Sequence, residues 1–193
     1  MSEAIEREVM EFDVLFVGAG PAALGGAYRL AQLAKEKGLG ELNIAVLEKA
    51  PEVGLHGFSG CVMDPRGLKE LMPDFIEQGF PIEAEVHEDS VVFLTKRSKF
   101  KLPITPPPFQ NHGNYIISLA KATKWLAGKC EELGVNILPG FAGRALLIED
   151  GRVVGVRTDD KGVSKDGAKK HGFRPATTSA PRSPCSAKDR AAR

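Results

Sequence analysis

The residues of this 193-residue chain best suited to chemistry form a glycine-containing turn at positions 18–20. The apolar run Val14–Val17 precedes the turn and is typical of a buried parallel strand. Gly18 permits the tight turn, and Gly20 lets the backbone approach a pyrophosphate without a side chain in the way. Pro21 suits the first position of a helix, whose free amides and positive end would hold the phosphates. The order of strand, turn and helix therefore predicts phosphate binding.

A second apolar run and an acidic residue extend this pattern. Residues 42–47 read as a strand, and Glu48 follows directly. An acidic side chain there would accept hydrogen bonds from the ribose hydroxyls of a dinucleotide. Ala23 replaces the third glycine of the usual fingerprint, which that position admits because it serves helix–strand packing. The combination predicts a dinucleotide site, and the alternative is a glycine-rich turn in another kind of α/β protein.

Composition narrows the class of protein. The formal net charge of +1 favours no polyanionic partner, and we assign no nucleic-acid role. The three cysteines, Cys61, Cys130 and Cys185, are far apart, which is typical of a reducing compartment and gives no metal-site spacing. Residues 1–8 lack the features of a secretory signal, and no run approaches the roughly 20 apolar residues of a membrane span. These features predict a cytoplasmic protein, either soluble or attached to a membrane surface.

Two helices are predicted from apolar residues that recur every three or four positions. The first runs from Pro21 to about Lys37, and the second runs from a cap at Asn114 to about Leu133. Residues 134–140 then form a third parallel strand. The positions of the first helix predicted to face the sheet are Leu24, Ala27, Tyr28, Ala31 and Ala34.

Two antiparallel hairpins are also predicted. One covers residues 91–102 and turns through the basic segment 96–99, which we expect to be solvated. The other covers residues 145–157 and turns at Asp150-Gly151, the strongest short hairpin signal in the chain. Together with the parallel strands, they predict a Rossmann-like α/β fold with hairpin and meander insertions.

Two further segments are candidates for cofactor contact. Ser59 and Gly60 lie in the glycine-rich loop that follows the second strand, where the far end of a dinucleotide would extend. The alternative is an ordinary loop in which Asp64 caps a short helix. A backbone contact to adenine is expected around Ala142, because the third strand ends at the same edge of the sheet.

Several short motifs resemble those of one family, electron transfer flavoprotein–ubiquinone oxidoreductase, also called electron-transferring-flavoprotein dehydrogenase. The resemblance covers about residues 10–170 and corresponds to the amino-terminal part of such an enzyme. The most specific motif is Asn-His-Gly-Asn-Tyr at 111–115, since the glycine fingerprint is shared by many flavoproteins. The other motifs are Gly-Ala-Gly-Pro-Ala at 18–22, Leu-Glu-Lys at 47–49, Ser-Gly-Cys at 59–61, Asp-Pro-Arg at 64–66, the segment from Leu-Gly-Val to Pro-Gly-Phe at 133–141 and Lys-Asp-Gly at 165–167.

The resemblance implies an FAD-containing enzyme on the inner face of a membrane. Such an enzyme takes electrons from reduced electron transfer flavoprotein and passes them through a 4Fe-4S cluster to ubiquinone. Because the flavin ring carries this chemistry, no catalytic side chain is assigned. The residues predicted to bind the cofactor are Gly18, Ala19, Gly20, Pro21, Ala22, Glu48, Lys49, Ser59, Gly60 and Ala142.

The resemblance also implies a membrane-facing loop and helix at about residues 54–75. Their apolar side chains would insert shallowly into the membrane surface, as a monotopic protein does. The alternative is that the same side chains line the flavin pocket. The residues concerned are Leu55, Phe58, Val62, Met63, Leu68, Leu71 and Met72.

The resemblance predicts an amino-terminal extension at residues 1–11, a partial FAD-binding domain at 12–170 and an unrelated tail at 171–193. The tail has no hydrophobic period, so we expect it to be disordered. A shifted reading frame with an early stop would produce such a tail, and a natural short variant is the alternative. The cluster and quinone sites of the family are expected to be absent.

The doubly wound strand order 3-2-1-4 places the strand Val14–Val17 next to a fourth strand that comes later in the chain. Without that neighbour, the first strand would be an edge, and FAD binding by this chain would be weak or absent. Two other functions stay open: another FAD-dependent reductase or hydroxylase of the same fold, and an inactive nucleotide-binding remnant.

Overall fold

A computed structural model describes residues 9–159 and the backbones of strands 161–163, 169–174 and 178–181. The chain divides into two compact units, residues 1–55 with 126–193 and residues 56–125. The helices are α1 (Pro21–Glu36), α2 (Arg66–Leu71) and α3 (Leu119–Glu132). The strands are β1 (Val9–Phe12), β2 (Val14–Val17), β3 (Ile44–Glu48), β4 (Cys61–Met63), β5 (Ile82–Glu85), β6 (Val92–Leu94), β7 (Lys99–Lys101), β8 (Tyr115–Ile117), β9 (Asn136–Pro139), β10 (Gly143–Glu149), β11 (Arg152–Thr158), β12 (Lys161–Val163), β13 (Lys169–Arg174) and β14 (Thr178–Pro181).

A parallel sheet forms the centre of the first unit. Its strand order is β2-β3-β9, and both pairs are parallel. The middle strand, β3, is buried from Ile44 to Leu47, as a strand covered on both faces should be. Among the described residues, β2 lies at the end of this order, and Val17 is 55% exposed. The predicted order of these three parallel strands is confirmed.

Hydrogen bonds at the amino ends of these strands fix their register. The Asp13 carboxylate accepts from the Asn43 amide at 2.8 Å, and the Asn43 carbonyl accepts from the Asp13 amide at 2.8 Å. The side chain of Asn136 donates to the Asn43 side-chain oxygen at 2.9 Å. All three strands are therefore joined through Asn43, which directly precedes β3.

Helix α1 packs on this sheet with the face that the sequence predicts. All five predicted inner residues, Leu24 to Ala34, are buried. The helix ends at Glu36, and Gly38 follows in the left-handed region with φ +61°. A Cβ at Gly26 would lie 3.2 Å from the Phe16 ring. The usual fingerprint assigns the close helix–strand approach to the position of Ala23. In this chain a close approach occurs at Gly26, about one helical turn later.

The start of α3 differs from the prediction. Asn114 does not cap this helix, because Tyr115–Ile117 forms strand β8, paired with β4 and β5. These three aromatic and β-branched residues favour a strand, and Tyr115 and Ile117 are buried on alternate positions. The helix begins at Leu119, and the Ser118 carbonyl accepts from the Ala122 amide at 2.9 Å.

The second unit is built around aromatic side chains. The ring of Phe75 meets the rings of Phe80 and Tyr115 edge-on at 5.3 and 6.3 Å. Phe80 meets Trp125 at 5.2 Å, and the Trp125 indole donates to the Gln78 carbonyl. The interpretation of Trp125 as a packing residue is confirmed.

The predicted hairpin is present as β6 and β7, with Phe93 opposite Phe100.

The second predicted hairpin is formed by β10 and β11. Asp150 and Gly151 form its turn with φ +48° and +75°, the left-handed values that this type of turn requires. Strand β14 pairs with β11 and, in parallel, with β1.

Strands β13 and β14 overlap the tail that was predicted to be disordered. For residues 171–174 and 178–181 the structure differs from that expectation. The physical reason is that a strand ladder joins backbone groups, so it does not require the hydrophobic period that the sequence lacks here. The remaining tail residues lie outside the described part of the chain.

Candidate dinucleotide-binding site

The glycine turn lies at the carboxyl end of β2 and has the predicted geometry. Gly18 has φ +93°, a conformation that side chains disfavour, and its amide donates to the Leu47 carbonyl at 2.8 Å. Gly20 has φ −81° and ψ 168°, an extended conformation that residues with a side chain also adopt. The space where a Cβ of Gly20 would lie has no heavy atom within 4 Å. That space is free for a phosphate to approach the backbone.

The start of α1 is suited to an anion. Gly20 is the N-cap and provides no side-chain cap, Pro21 follows it, and the first turn contains no acidic residue. Gly20, Pro21 and Ala22 are all exposed. The positive end of the helix dipole and its first amides are therefore open to a bound pyrophosphate, as the sequence predicts.

Glu48 lies at the end of β3 beside this turn. One oxygen of its carboxylate, Oε2, accepts from the Ala19 amide at 3.0 Å, and Oε1 accepts from the Ala50 amide at 2.8 Å. Each carboxylate oxygen can accept a second hydrogen bond, so the group retains capacity for ribose hydroxyls. The structure thus brings together the glycine turn and the acid, which are about thirty positions apart in the chain.

The predicted adenine position is tied to the same edge of the sheet. The amide of Phe141 donates to the Glu48 carbonyl at 2.8 Å, which holds the segment just before Ala142 against the end of β3. The Ala142 carbonyl accepts from the Asp159 amide at 2.9 Å. A Cβ at Gly143 would lie 3.0 Å from Val17, so the chain passes close to β2 here. The adenine contact itself stays a prediction.

The remaining predicted cofactor residues are Lys49, Ser59 and Gly60. Lys49 follows Glu48 with an exposed side chain. Ser59 and Gly60 belong to the second unit, where both are exposed and Gly60 has φ +72°. Their contact with a redox ring stays a prediction.

Asp64 has a local structural role, but it does not cap helix α2 as the alternative for this loop predicted, since the N-cap is Pro65 and has no side-chain cap. Its carboxylate accepts from the Arg66 amide at 3.0 Å and from the Arg66 guanidinium at 2.8 Å, just where α2 begins. These hydrogen bonds, the side-chain one above all, lower the pKa of Asp64. Because the pair is fully exposed, its effect is local.

The predicted membrane-facing segment exposes only part of its apolar surface. Phe58 is 81% exposed, and Leu55 and Val62 are also exposed. Met72 is buried at 2% exposure, so its predicted contact with a membrane was wrong. Met72 is instead a core residue of the second unit, where Met72 and Phe75 are among the largest fully buried side chains.

An apolar surface that the sequence analysis missed lies on the β6–β7 hairpin. Phe93 and Phe100 are opposite each other and are 69% and 61% exposed. Val91 and Leu102 extend the same face, since the Leu102 amide donates to the Val91 carbonyl. The signal in the sequence is the continuous apolar run at 91–94, which faces a second strand with apolar residues at Phe100 and Leu102.

The described residues form a Rossmann-like α/β fold with a glycine turn and an acidic residue at the carboxyl ends of its parallel strands, and comparisons with known proteins agree with this fold. No family model matches the chain. The solved structures it resembles include a geranylgeranyl bacteriochlorophyll reductase-like protein from Thermoplasma acidophilum (TM-score 0.58, 18% identity), with 91% of this chain and 38% of that one aligned. The OxyS anhydrotetracycline hydroxylase from Streptomyces rimosus gives a TM-score of 0.54 at 21% identity, with 89% and 30% aligned. These likenesses establish the fold.

Sequence relatives are much closer. The mitochondrial electron transfer flavoprotein–ubiquinone oxidoreductase of Arabidopsis thaliana is 49% identical over 175 residues, which cover 90% of this chain and 27% of that protein. The Pseudomonas aeruginosa enzyme of the same name is 48% identical, with 88% and 31% covered. The predicted resemblance to these oxidoreductases is confirmed. The chain spans about three tenths of the length of these relatives.

Proposed function

We propose that this chain corresponds to the amino-terminal, FAD-binding part of an oxidoreductase that passes electrons from electron transfer flavoprotein to ubiquinone. The single observation that carries the proposal is the cluster of Gly18, Gly20 and Glu48 at one edge of the parallel sheet. Its order and spacing fit the ADP half of FAD. The similarity to named oxidoreductases supports the choice of reaction, because the glycine turn alone is common to many flavoproteins.

FAD would supply the redox chemistry, and the residues of this chain would bind and orient it. The open amides at the start of α1 would hold the pyrophosphate, and Glu48 would accept from the ribose of the adenosine. Ala142 would contact the adenine, while Ser59 and Gly60 would contact the flavin ring. No residue of the described chain is assigned a proton-transfer or nucleophilic role.

The described residues do not fit a 4Fe-4S cluster. Among them there is no group of three or more His, Cys, Asp or Glu side chains that could hold a metal. Clusters of this kind require thiolate ligands, and burial raises the pKa of the Cys130 thiol to about 12. No electron-transfer step through a cluster or a quinone is therefore derived for this chain.

A membrane surface is the third proposed partner, in addition to electron transfer flavoprotein and ubiquinone. The described residues contain no helix long and apolar enough to cross a membrane. The exposed face of the β6–β7 hairpin supports contact from one side, since Phe93 and Phe100 lie next to the cationic turn residues Lys96, Arg97 and Lys99. Aromatic and cationic side chains together suit an anionic membrane surface. We place this contact on the inner face of a cell membrane.

Titration of the purified chain with FAD, followed by flavin fluorescence, tests the cofactor proposal. We expect weak, saturable binding that ADP displaces and riboflavin does not, because the site recognises the ADP half. Binding that riboflavin displaces and ADP does not would contradict the proposed site. Stoichiometric flavin in the purified protein would show that the expectation of weak binding was wrong.

Two alternative functions make different predictions, one for an assay of electron exchange with electron transfer flavoprotein and one for this titration. Another FAD-dependent reductase or hydroxylase would bind FAD without exchanging electrons with electron transfer flavoprotein. An inactive remnant would fold without binding FAD at all.

The origin of residues 171–193 in a shifted reading frame also stays a proposal, and translation of the downstream DNA in the other frames tests it.

A further inference from the structure

We infer that Glu48 is a positioning residue for the glycine turn, in addition to its proposed contact with ribose. The inference rests on the proposed dinucleotide function. Its carboxylate oxygen Oε2 accepts from the amide of Ala19, which is 29 positions earlier in the chain, at 3.0 Å. Ala19 is 3% exposed, so water has little access to replace this hydrogen bond.

Glu48 is itself held at two other points. Its second carboxylate oxygen, Oε1, accepts from the Ala50 amide at 2.8 Å, and its carbonyl accepts from the Phe141 amide at 2.8 Å. The side chain therefore joins the turn after β2 to the loop after β3, while the main chain joins β3 to the segment after β9. The carboxylate orientation is fixed by protein groups alone, before any nucleotide binds.

This arrangement changes the role of Ala19 in the site. Its amide is directed at Glu48 and is not available to a phosphate, so phosphate recognition falls to the amides of Gly20 and the first turn of α1. The turn and the ribose-binding acid act as one unit. A change at Glu48 should therefore weaken binding of the pyrophosphate, which Glu48 does not contact.

Glutamine at this position separates the two roles. Both partners of the carboxylate are backbone N–H donors, and a glutamine side chain has only one acceptor oxygen. Its amide nitrogen must face one of the two donors, which breaks that hydrogen bond. A ribose hydroxyl, by contrast, both donates and accepts, so it tolerates glutamine.

Amide hydrogen exchange of the 15N-labelled wild-type chain and of Glu48→Gln tests the hydrogen bonds without a ligand. The amides of Ala19 and Ala50 are expected to exchange slowly in the wild type, because both donate to the carboxylate. One of the two should exchange about tenfold faster in Glu48→Gln, while the amides of β3 keep their wild-type rates. Unchanged exchange of both Ala19 and Ala50 in the variant overturns the inference.

Binding of inorganic pyrophosphate and of ADP to Glu48→Gln tests the consequence. Pyrophosphate has no ribose, so a positioning role predicts a loss of about tenfold for both ligands, equivalent to one hydrogen bond. Weaker ADP binding with unchanged pyrophosphate binding overturns the inference. Glu41→Gln is the matched control, because Glu41 is an exposed acid in the loop between α1 and β3. If the wild type binds neither ligand, the proposed function fails, and the amide exchange experiment alone decides the positioning role.

Discussion

Gly18 and Gly20 are both glycines of one turn, yet the structure gives each a different reason to be glycine. Gly18 has φ +93°, whereas Gly20 has an ordinary extended backbone and open space beside it. We expect Gly18→Ala to lower the free energy of unfolding by about 1–2 kcal/mol, because a side chain is strained at positive φ. Urea unfolding measures this loss.

Gly20→Ala is expected to have the opposite profile. Its unfolding free energy should stay within about 0.5 kcal/mol of the wild type, since a methyl group meets no neighbour. Its affinity for ADP should fall by about tenfold or more, because the methyl lies where a phosphate approaches. Unchanged ADP affinity of the Gly20→Ala variant would contradict the placement of a phosphate beside Gly20.

The thiol of Cys130 is expected to be inert in the folded protein. It is fully buried, donates to the Leu24 carbonyl at 3.3 Å, and has its pKa raised to about 12, chiefly by burial. In a Cys185→Ser background, a thiol reagent at pH 8 should modify the partly exposed Cys61 and reach Cys130 only after unfolding. Rapid modification of both thiols in the native protein contradicts this packing.

The same thiol gives a pH dependence of stability. Since its folded pKa is above the unfolded value of about 9, the folded state retains the proton longer than the unfolded state. The stabilisation is complete below pH 9 and is lost as the pH rises towards 12, with a slope of at most about 1.4 kcal/mol per pH unit. Urea unfolding of wild type and Cys130→Ala from pH 8 to 11 should show a smaller slope for the variant.

At the scale of elements, Asn43 joins the three parallel strands, and this gives a testable difference in stability. Asn43→Ala removes its side-chain hydrogen bonds to the Glu11 carbonyl and to Asn136. We expect a loss of about 1–3 kcal/mol in the free energy of unfolding. Asp13→Asn is a milder companion, since it retains one side-chain acceptor. If neither variant changes the free energy of unfolding, the strands keep their register without the hydrogen bonds of Asn43.

Elements defined by local patterns could be predicted from the sequence. The inner face of α1, the buried strand β3 and the Asp150-Gly151 hairpin all follow from periodicity or turn chemistry within about fifteen residues. Strand β8 was missed because Asn114 resembles a cap, and only pairing with β4 and β5 selects a strand. Strand β14 depends on backbone pairing with β1, about 170 positions away, which no local pattern contains.

The candidate site could be predicted in part for the same reason. Gly18, Gly20 and Glu48 have a known spacing, and the structure joins them as expected. The hydrogen bond from Ala19 to Glu48 could not be read from the sequence, because it depends on how two loops meet beyond the ends of parallel strands.

At the scale of the whole molecule, exposed apolar surface predicts contact with a membrane. Phe93→Ser with Phe100→Ser should reduce sedimentation of the chain with vesicles that contain anionic lipid. Leu146→Ser with Ile148→Ser is the matched control. Those side chains have similar exposure, 58% and 62%, but lie beside the acidic pair Glu149-Asp150. Equal losses from both variants would indicate only general stickiness of exposed apolar groups.

We propose that the turn beside Glu48 binds the ADP part of a dinucleotide. An amide NMR map of the 15N-labelled chain with increasing ADP tests this binding residue by residue. We expect saturable shifts concentrated at residues 18–24 and 48–50. Saturable shifts that lie elsewhere, with these amides unchanged, would contradict it.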